Sequence, residues 1–216
     1  MSRIPCASFL SLALLPLEVG CGGDDGDDGM LAGAAVDAGV VSAGDGGPQL
    51  TCPVAESPAA VAALTDAVAG QQTQRPEHQA EGAPDDPQTY FVFGGVGDMD
   101  LVELDLWDGY GVFTTTEDRR VLPGTYTIEG DEAVVATCGI CFFLLGDVDQ
   151  GAGTTQGIYI ATAGTLVLES IDGEVTGSAE SITFTQVDPF TGEHLPDGCT
   201  ATFPSIAFSA PIPPQE

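Results

Sequence analysis

Cys138-Gly139-Ile140-Cys141 sets two thiols three residues apart, the spacing of dithiol redox motifs. Redox work of that kind needs its first thiol at a helix N-terminus, where the dipole lowers the thiolate pKa. Here Phe142-Phe143-Leu144-Leu145 follows, an apolar strand-like run, and no strand–helix–strand pattern surrounds the pair. Structural cystines are the expectation. A zinc site with Cys199 as third ligand lacks a fourth. Carboxylates are the abundant chemical resource. Asp98 and Asp100 precede a strand-like run, Asp105 and Asp108 follow along it, and Asp147 and Asp149 stand in Gly-Asp-Val-Asp-Gln-Gly. Oxygen ligands on loops suit calcium, so Asp98, Asp100, Asp147 and Asp149 are candidate ligands; the competing reading is a solvated acidic surface. Paired carboxylates also serve glycosidases, given a cleft between them. Trp107 falls on the polar phase of its strand beside Asp108-Gly109-Tyr110, a candidate surface for stacking on a sugar. Its ordinary alternative is packing at a sheet edge or under a loop. His78 stands in a linker and His194 in a turn-rich connection. The chain has no Gly-x-Ser-x-Gly elbow, no HExxH helix and no glycine-rich phosphate loop. The expectation is a non-enzymatic protein with a surface or interaction role that needs no cofactor; the alternative is a calcium-dependent carbohydrate-binding or adhesion module.

The elements that hold these residues read as strands. Short apolar or alternating runs fall at 90–93, 101–107, 111–115, 125–128, 133–145 (one strand or two), 157–161, 165–171, 174–187 and 200–209. Asp108-Gly109, Gly130-Asp131, Asp172-Gly173 and Asp197-Gly198 supply turns between them. Val102, Leu104 and Leu106 alternate with Glu103, Asp105 and Trp107, so one face is wet. Pro204 demotes part of the last run to an edge or a bulge. Eight or nine short strands without intervening helices predict an all-β fold, an antiparallel β-sandwich over 89–216. Upstream, Ser57-Pro58 has the form of a helix start and Gly70 that of a stop, with Val61, Leu64 and Val68 at helical spacing. One short helix and a linker are therefore expected over 53–88. Residues 21–52 are dominated by glycine, aspartate and alanine and read as a flexible, self-extending tether.

The chain has 216 residues, 33 acidic and only 4 basic, for a net charge of −29; all four cations are arginine. Nucleic-acid binding is excluded on that ground, because it requires clustered cations to displace phosphate counterions. Attraction to anionic lipid headgroups is excluded likewise. With 43% apolar residues the chain is nonetheless no acidic disordered tail throughout. At the N-terminus Arg3 precedes an apolar run over 7–17, too short for a membrane span of ~20 residues and of the length of a signal-peptide core. Residues 1–20 are expected to be an export signal.

The end of that signal, Leu17-Glu18-Val19-Gly20-Cys21, resembles a bacterial lipobox. The resemblance implies cleavage before Cys21 and a lipid anchor on its sulfur and new amine. Val19, Gly20 and Cys21 fit the pattern, whereas Glu18 stands where leucine is usual. More than one acyl chain is what stable anchoring takes. Gly22, where enteric lipoproteins retained at the inner membrane carry aspartate, points to the outer membrane or cell surface. Removing Cys6 with the signal and Cys21 to the lipid leaves Cys52, Cys138, Cys141 and Cys199. Four cysteines in an oxidising compartment read as two disulfides with three connectivities. Residues three apart on a regular strand face opposite ways, so either Gly139 bends the chain and allows a Cys138–Cys141 bond or the two reach different partners; the second is the expectation, with Cys199 as one partner.

A series of short motifs completes the reading. Tyr110-Gly111-Val112-Phe113, Gly124-Thr125-Tyr126-Thr127-Ile128, Ala136-Thr137-Cys138-Gly139-Ile140-Cys141, Gly164-Thr165-Leu166 and Asp197-Gly198-Cys199 occur in that order. The series, over roughly residues 101–212, resembles a group of exported lipoproteins abundant in myxobacteria. That resemblance implies a lipid-anchored β domain and brings no activity with it. A protein or glycan partner of the envelope is the expectation it leaves open.

Overall fold

A computed structural model of the chain describes residues 62–96, 100–149 and 151–214. All of them belong to one compact unit, Pro48–Glu216. The expected signal, the lipobox with Cys21, the tether, Cys52 and Asp98 lie outside the described residues.

The described chain is all-β and almost wholly antiparallel. Its strands are β1 (Ala62–Ala63), β2 (Thr65–Thr73), β3 (Gln88–Gly95), β4 (Leu101–Trp107), β5 (Gly124–Ile128), β6 (Ile140–Gly146), β7 (Gly157–Ser170), β8 (Glu174–Val187) and β9 (Thr200–Pro211). They form a single sheet in the order β1-β9-β8-β7-β6-β4-β3-β2, with β5 on the far half of β7. The sheet curls. Its two ends are joined by the chain itself: β1 pairs in parallel with β9, Leu64 donates its N–H to Ala207 at 3.0 Å, and the next residues pair as β2 with β3. The two layers expected of a sandwich are thus opposite walls of one sheet.

Alternation decides which side chains fill the curl. Val102, Leu104 and Leu106 of β4, Phe142 and Leu144 of β6, Phe184 of β8 and Phe203 of β9 are fully buried or nearly so in one central core. Phe184 meets both Phe142 and Phe203 edge-on, at centroid separations of 5.4 and 5.7 Å. Each such ring gains ~1.5–3 kcal/mol from burial, so the aromatic stack is a principal source of cohesion. A smaller cluster on the other side of the sheet joins Cys138, Cys141, Phe143, Ile160 and Val187, with Trp107 and Val135 packed against it.

Three local expectations are corrected. From residue 62 on, the helix expected to end at Gly70 is replaced by β1 and β2, and the domain begins well before residue 89; the expected helix start at Ser57-Pro58 lies outside the described residues. Ala69 faces the core while Val68 is 46% exposed, a period of two, and the Phe91 ring lies over Gly70 where a Cβ would collide with it. The helical spacing of Leu64 and Val68 is overridden by pairing with β3. Gly111–Thr115 forms a 3-10 turn, not a strand; Gly111 has φ +46°, which breaks an extended run. Residues 130–133 also form a 3-10 turn, so only the second half of 133–145 is a strand. In β9, Pro204 stands opposite Ser181, whose φ of +51° marks an irregularity in β8 where proline donates no ladder bond.

Candidate functional site

The inward phase of β2 and β3 does not end with the apolar core. Ala69 pairs with Val92 inside it; the next inward pairs are Gln71 with Tyr90 and Thr73 with Gln88. Polar side chains thus continue the core-facing rows to the rim of the curl. There they line a cleft of about 590 Å³ together with Asp86, residues 120–122 and Ile171 at the end of β7. That volume is within the usual range for small-molecule sites.

The lining is a connected network. Gln71 Nε2 donates to Gln88 Oε1 at 3.3 Å and to the Tyr90 hydroxyl at 3.4 Å. Gln88 Nε2 donates to Thr73 Oγ1 and to the Asp86 carbonyl. Arg120 Nη1 donates to the same Asp86 carbonyl and to Asp108 Oδ2, the latter at 2.8 Å. Burial, and secondarily the Asp108 carboxylate, raise the Tyr90 pKa, so its hydroxyl stays protonated at neutral pH and can donate.

Asp108 is the post behind this wall. It continues the inward phase of Val102, Leu104 and Leu106 and is fully buried. Oδ2 accepts from Gln88 N and Arg120 Nη1, both at 2.8 Å; Oδ1 accepts from Val121 N at 2.6 Å. Gln74 ties in from the other side, donating to the Gln88 and Asp108 carbonyls. One carboxylate therefore fixes the start of β3, the end of β4 and the segment carrying Arg120. The sequence held one signal of it: an acid on the apolar phase of a strand, a dozen residues before an Arg-Arg pair.

Glu132 plays the same part elsewhere. Oε1 accepts from Val112 N at 2.6 Å, and Oε2 from Gly139 N and Ile140 N at 3.0 and 2.5 Å. Burial raises its pKa, although those three donors pull the other way. By capping residues 139 and 140 it bends the chain into β6, and the bend decides the sulfur pairing. Cys138 and Cys141 form a disulfide with each other, Cα atoms 5.2 Å apart, against the expectation of separate partners. The strand begins only at Ile140, so strand alternation does not separate the two thiols. Gly139 is obligatory there, since a Cβ would strike the Tyr110 carbonyl. Cys199 is also disulfide-bonded, to a partner outside the described residues.

The other singled-out residues are scattered. Trp107 is half-buried beneath the loops, meeting His78 and Tyr110 edge-on at 6.5 and 6.2 Å. Tyr110 in turn donates its hydroxyl to the His78 carbonyl. His194 contacts the Ala133 carbonyl through Nε2. Asp100 accepts the N–H of Asp147, and Asp149 accepts those of Gly151 and Ala152. Burial raises the Asp100 pKa. Burial, and then the Asp100 and Asp147 carboxylates, push Tyr159, whose buried hydroxyl has no partner, up to about 12. The Asp100 and Asp149 carboxylates thus serve loop geometry. Among the described residues no three acidic, histidine or cysteine side chains converge as a metal site. On the outward phase of β4, Asp105 is raised well above the ordinary range by burial and by Glu103 two residues away.

Sequence reading missed the cleft, because residues 71–88 look like linker. No protein-family model, no curated protein and no solved structure matches the chain.

Proposed function

We propose that the chain is an exported envelope protein, lipid-anchored on Cys21, whose disulfide-bonded β domain has a non-enzymatic binding role exercised through the cleft at its rim. The observation that carries the binding reading is saturation. Asp108, the buried carboxylate nearest the cleft, accepts three structural hydrogen bonds. What faces the cleft is amide, hydroxyl, the exposed Asp86 at its edge and a guanidinium held in place, a set that orients a ligand. The export reading is supported by the signal-like N-terminus and by cystines, which persist in oxidising compartments. The acidic tether holds the domain off an anionic membrane by charge repulsion.

The test is fractionation with mass spectrometry. The wild-type protein, expressed in a diderm bacterium, is expected in the outer-membrane fraction with an N-terminal acylated Cys21 peptide, and Cys21→Ala in the soluble envelope fraction. A soluble wild type with an unmodified Cys21 would remove the anchor.

A further inference from the structure

We infer that the rim cleft lined by Gln71, Thr73, Gln88, Tyr90 and Arg120 is a binding site for a neutral saccharide. The inference rests on the proposed binding role and names its ligand class. An apolar ligand is disfavoured because the lining's amides, hydroxyls and guanidinium would be desolvated without replacement hydrogen bonds. An anion gains little. The one cation in the lining is already paired with Asp108 at 2.8 Å, Asp86 shares the wall, and the chain carries −29. A neutral polyol escapes both penalties.

Its hydroxyls both donate and accept, which matches the groups present. Gln88 offers a carbonyl with room for a second hydrogen bond beyond that from Gln71, and the Tyr90 hydroxyl accepts from Gln71 while keeping its own proton to give. Arg120 uses only Nη1 in its bonds to Asp86 and Asp108, so a fixed planar fork presents its remaining N–H groups beside the cleft. Val121, Leu122 and Ile171 give the other wall an apolar surface for the C–H face of a sugar ring. The site differs from the sugar platform expected at Trp107, whose ring is engaged by His78 and Tyr110.

The test is a printed array of neutral, sulfated and uronic-acid oligosaccharides probed with the purified full chain, followed by titration of any retained glycan. The expected result is retention of neutral glycans. Thr73→Trp, which plugs the rim from an exposed position, abolishes that binding, and Tyr90→Phe weakens it at least fivefold. Each variant is checked for an unchanged circular dichroism spectrum, and Tyr90→Phe decides if Thr73→Trp does not fold. Retention of no glycan, of acidic glycans only, or of neutral glycans with unaltered affinity in the deciding folded variant overturns the inference. Mass analysis of Cys21 on the same preparation separates the two readings. Lipidated protein that binds no glycan loses the ligand alone, whereas unlipidated protein that binds one loses the anchor alone.

Discussion

Arg120 meets Asp108 at 2.8 Å across a boundary between solvent and core: the guanidinium side chain is 33% exposed, the carboxylate 1%. Such a pair is asymmetric in its consequences. The arginine can relax into water, whereas the carboxylate has nowhere to go. Removing the carboxylate strands two backbone N–H groups, of Gln88 and Val121, as well as the cation. Asp108→Ala is therefore expected to destabilise the domain by about 2–4 kcal/mol, chiefly from the two stranded N–H groups. Asp108→Asn should recover part of that loss by keeping an acceptor. Urea denaturation of the three proteins checks this, and a loss below ~1 kcal/mol in the alanine variant would contradict the structural role given to Asp108.

The pH dependence is expected to run against the usual acid lability of proteins. Burial raises the folded pKa values of Asp100, Glu103, Asp105 and Glu132 above their unfolded values. As pH falls from neutral, the folded state binds protons before the unfolded one, so stability rises and levels off only below the unfolded values near 4. Asp188, lowered by the N–H groups of Thr191 and Phe190, opposes this weakly from the surface. A higher melting temperature at pH 5 than at pH 7 is expected at fixed ionic strength. Asp105→Asn should raise the pH 7 value, by ~2–4 °C for each 1 kcal/mol gained, and shrink the difference between the two pH values. Added salt screens the global −29 repulsion and raises both melting temperatures, leaving the Asp105 effect in place. A melting temperature lower at pH 5 would refute the assignment.

How far the sequence declared this structure depends on where each residue's partners lie. β4 was legible to its ends, Leu101–Trp107, because its own alternation encodes which side chains enter the core. β8 and β9 were legible for the same reason. β2 was not: Leu64 and Val68 mimic a helical face, and what makes the segment a strand is β3, some twenty residues on. The 3-10 turn at Gly111 looks like a strand in the sequence because the Val112 N–H is claimed by Glu132, distant in the chain. The cleft fell to the same difficulty. Gln71, Thr73, Gln88 and Tyr90 are ordinary loop-like polar residues until pairing aligns them on the inward phase of a curled sheet. The Cys138–Cys141 bond is one of two readings the spacing allows, and what decides for it is the strand's start at Ile140, set by Glu132 from outside the motif.

The cystines give a last test that reaches chemistry as well as stability. The Cys138–Cys141 bridge closes a sequence separation of only 3, so in the chain-entropy account it contributes about 2 kcal/mol. Cys199 is bonded to a partner outside the described residues, where the cysteines are Cys6, Cys21 and Cys52, and under the proposed export and lipidation only Cys52 is available. That loop would be long, and its closure is worth on the order of 4–5 kcal/mol. Cys199→Ser should therefore cost more than the double change Cys138→Ser, Cys141→Ser, the order that denaturant titration would reveal. Alkylation of the unfolded, unreduced mature protein should label no cysteine, and peptide mapping should join 138 to 141 and 52 to 199. Labelling of Cys52 together with Cys199 would place the protein in a reducing compartment, and export would fall with it.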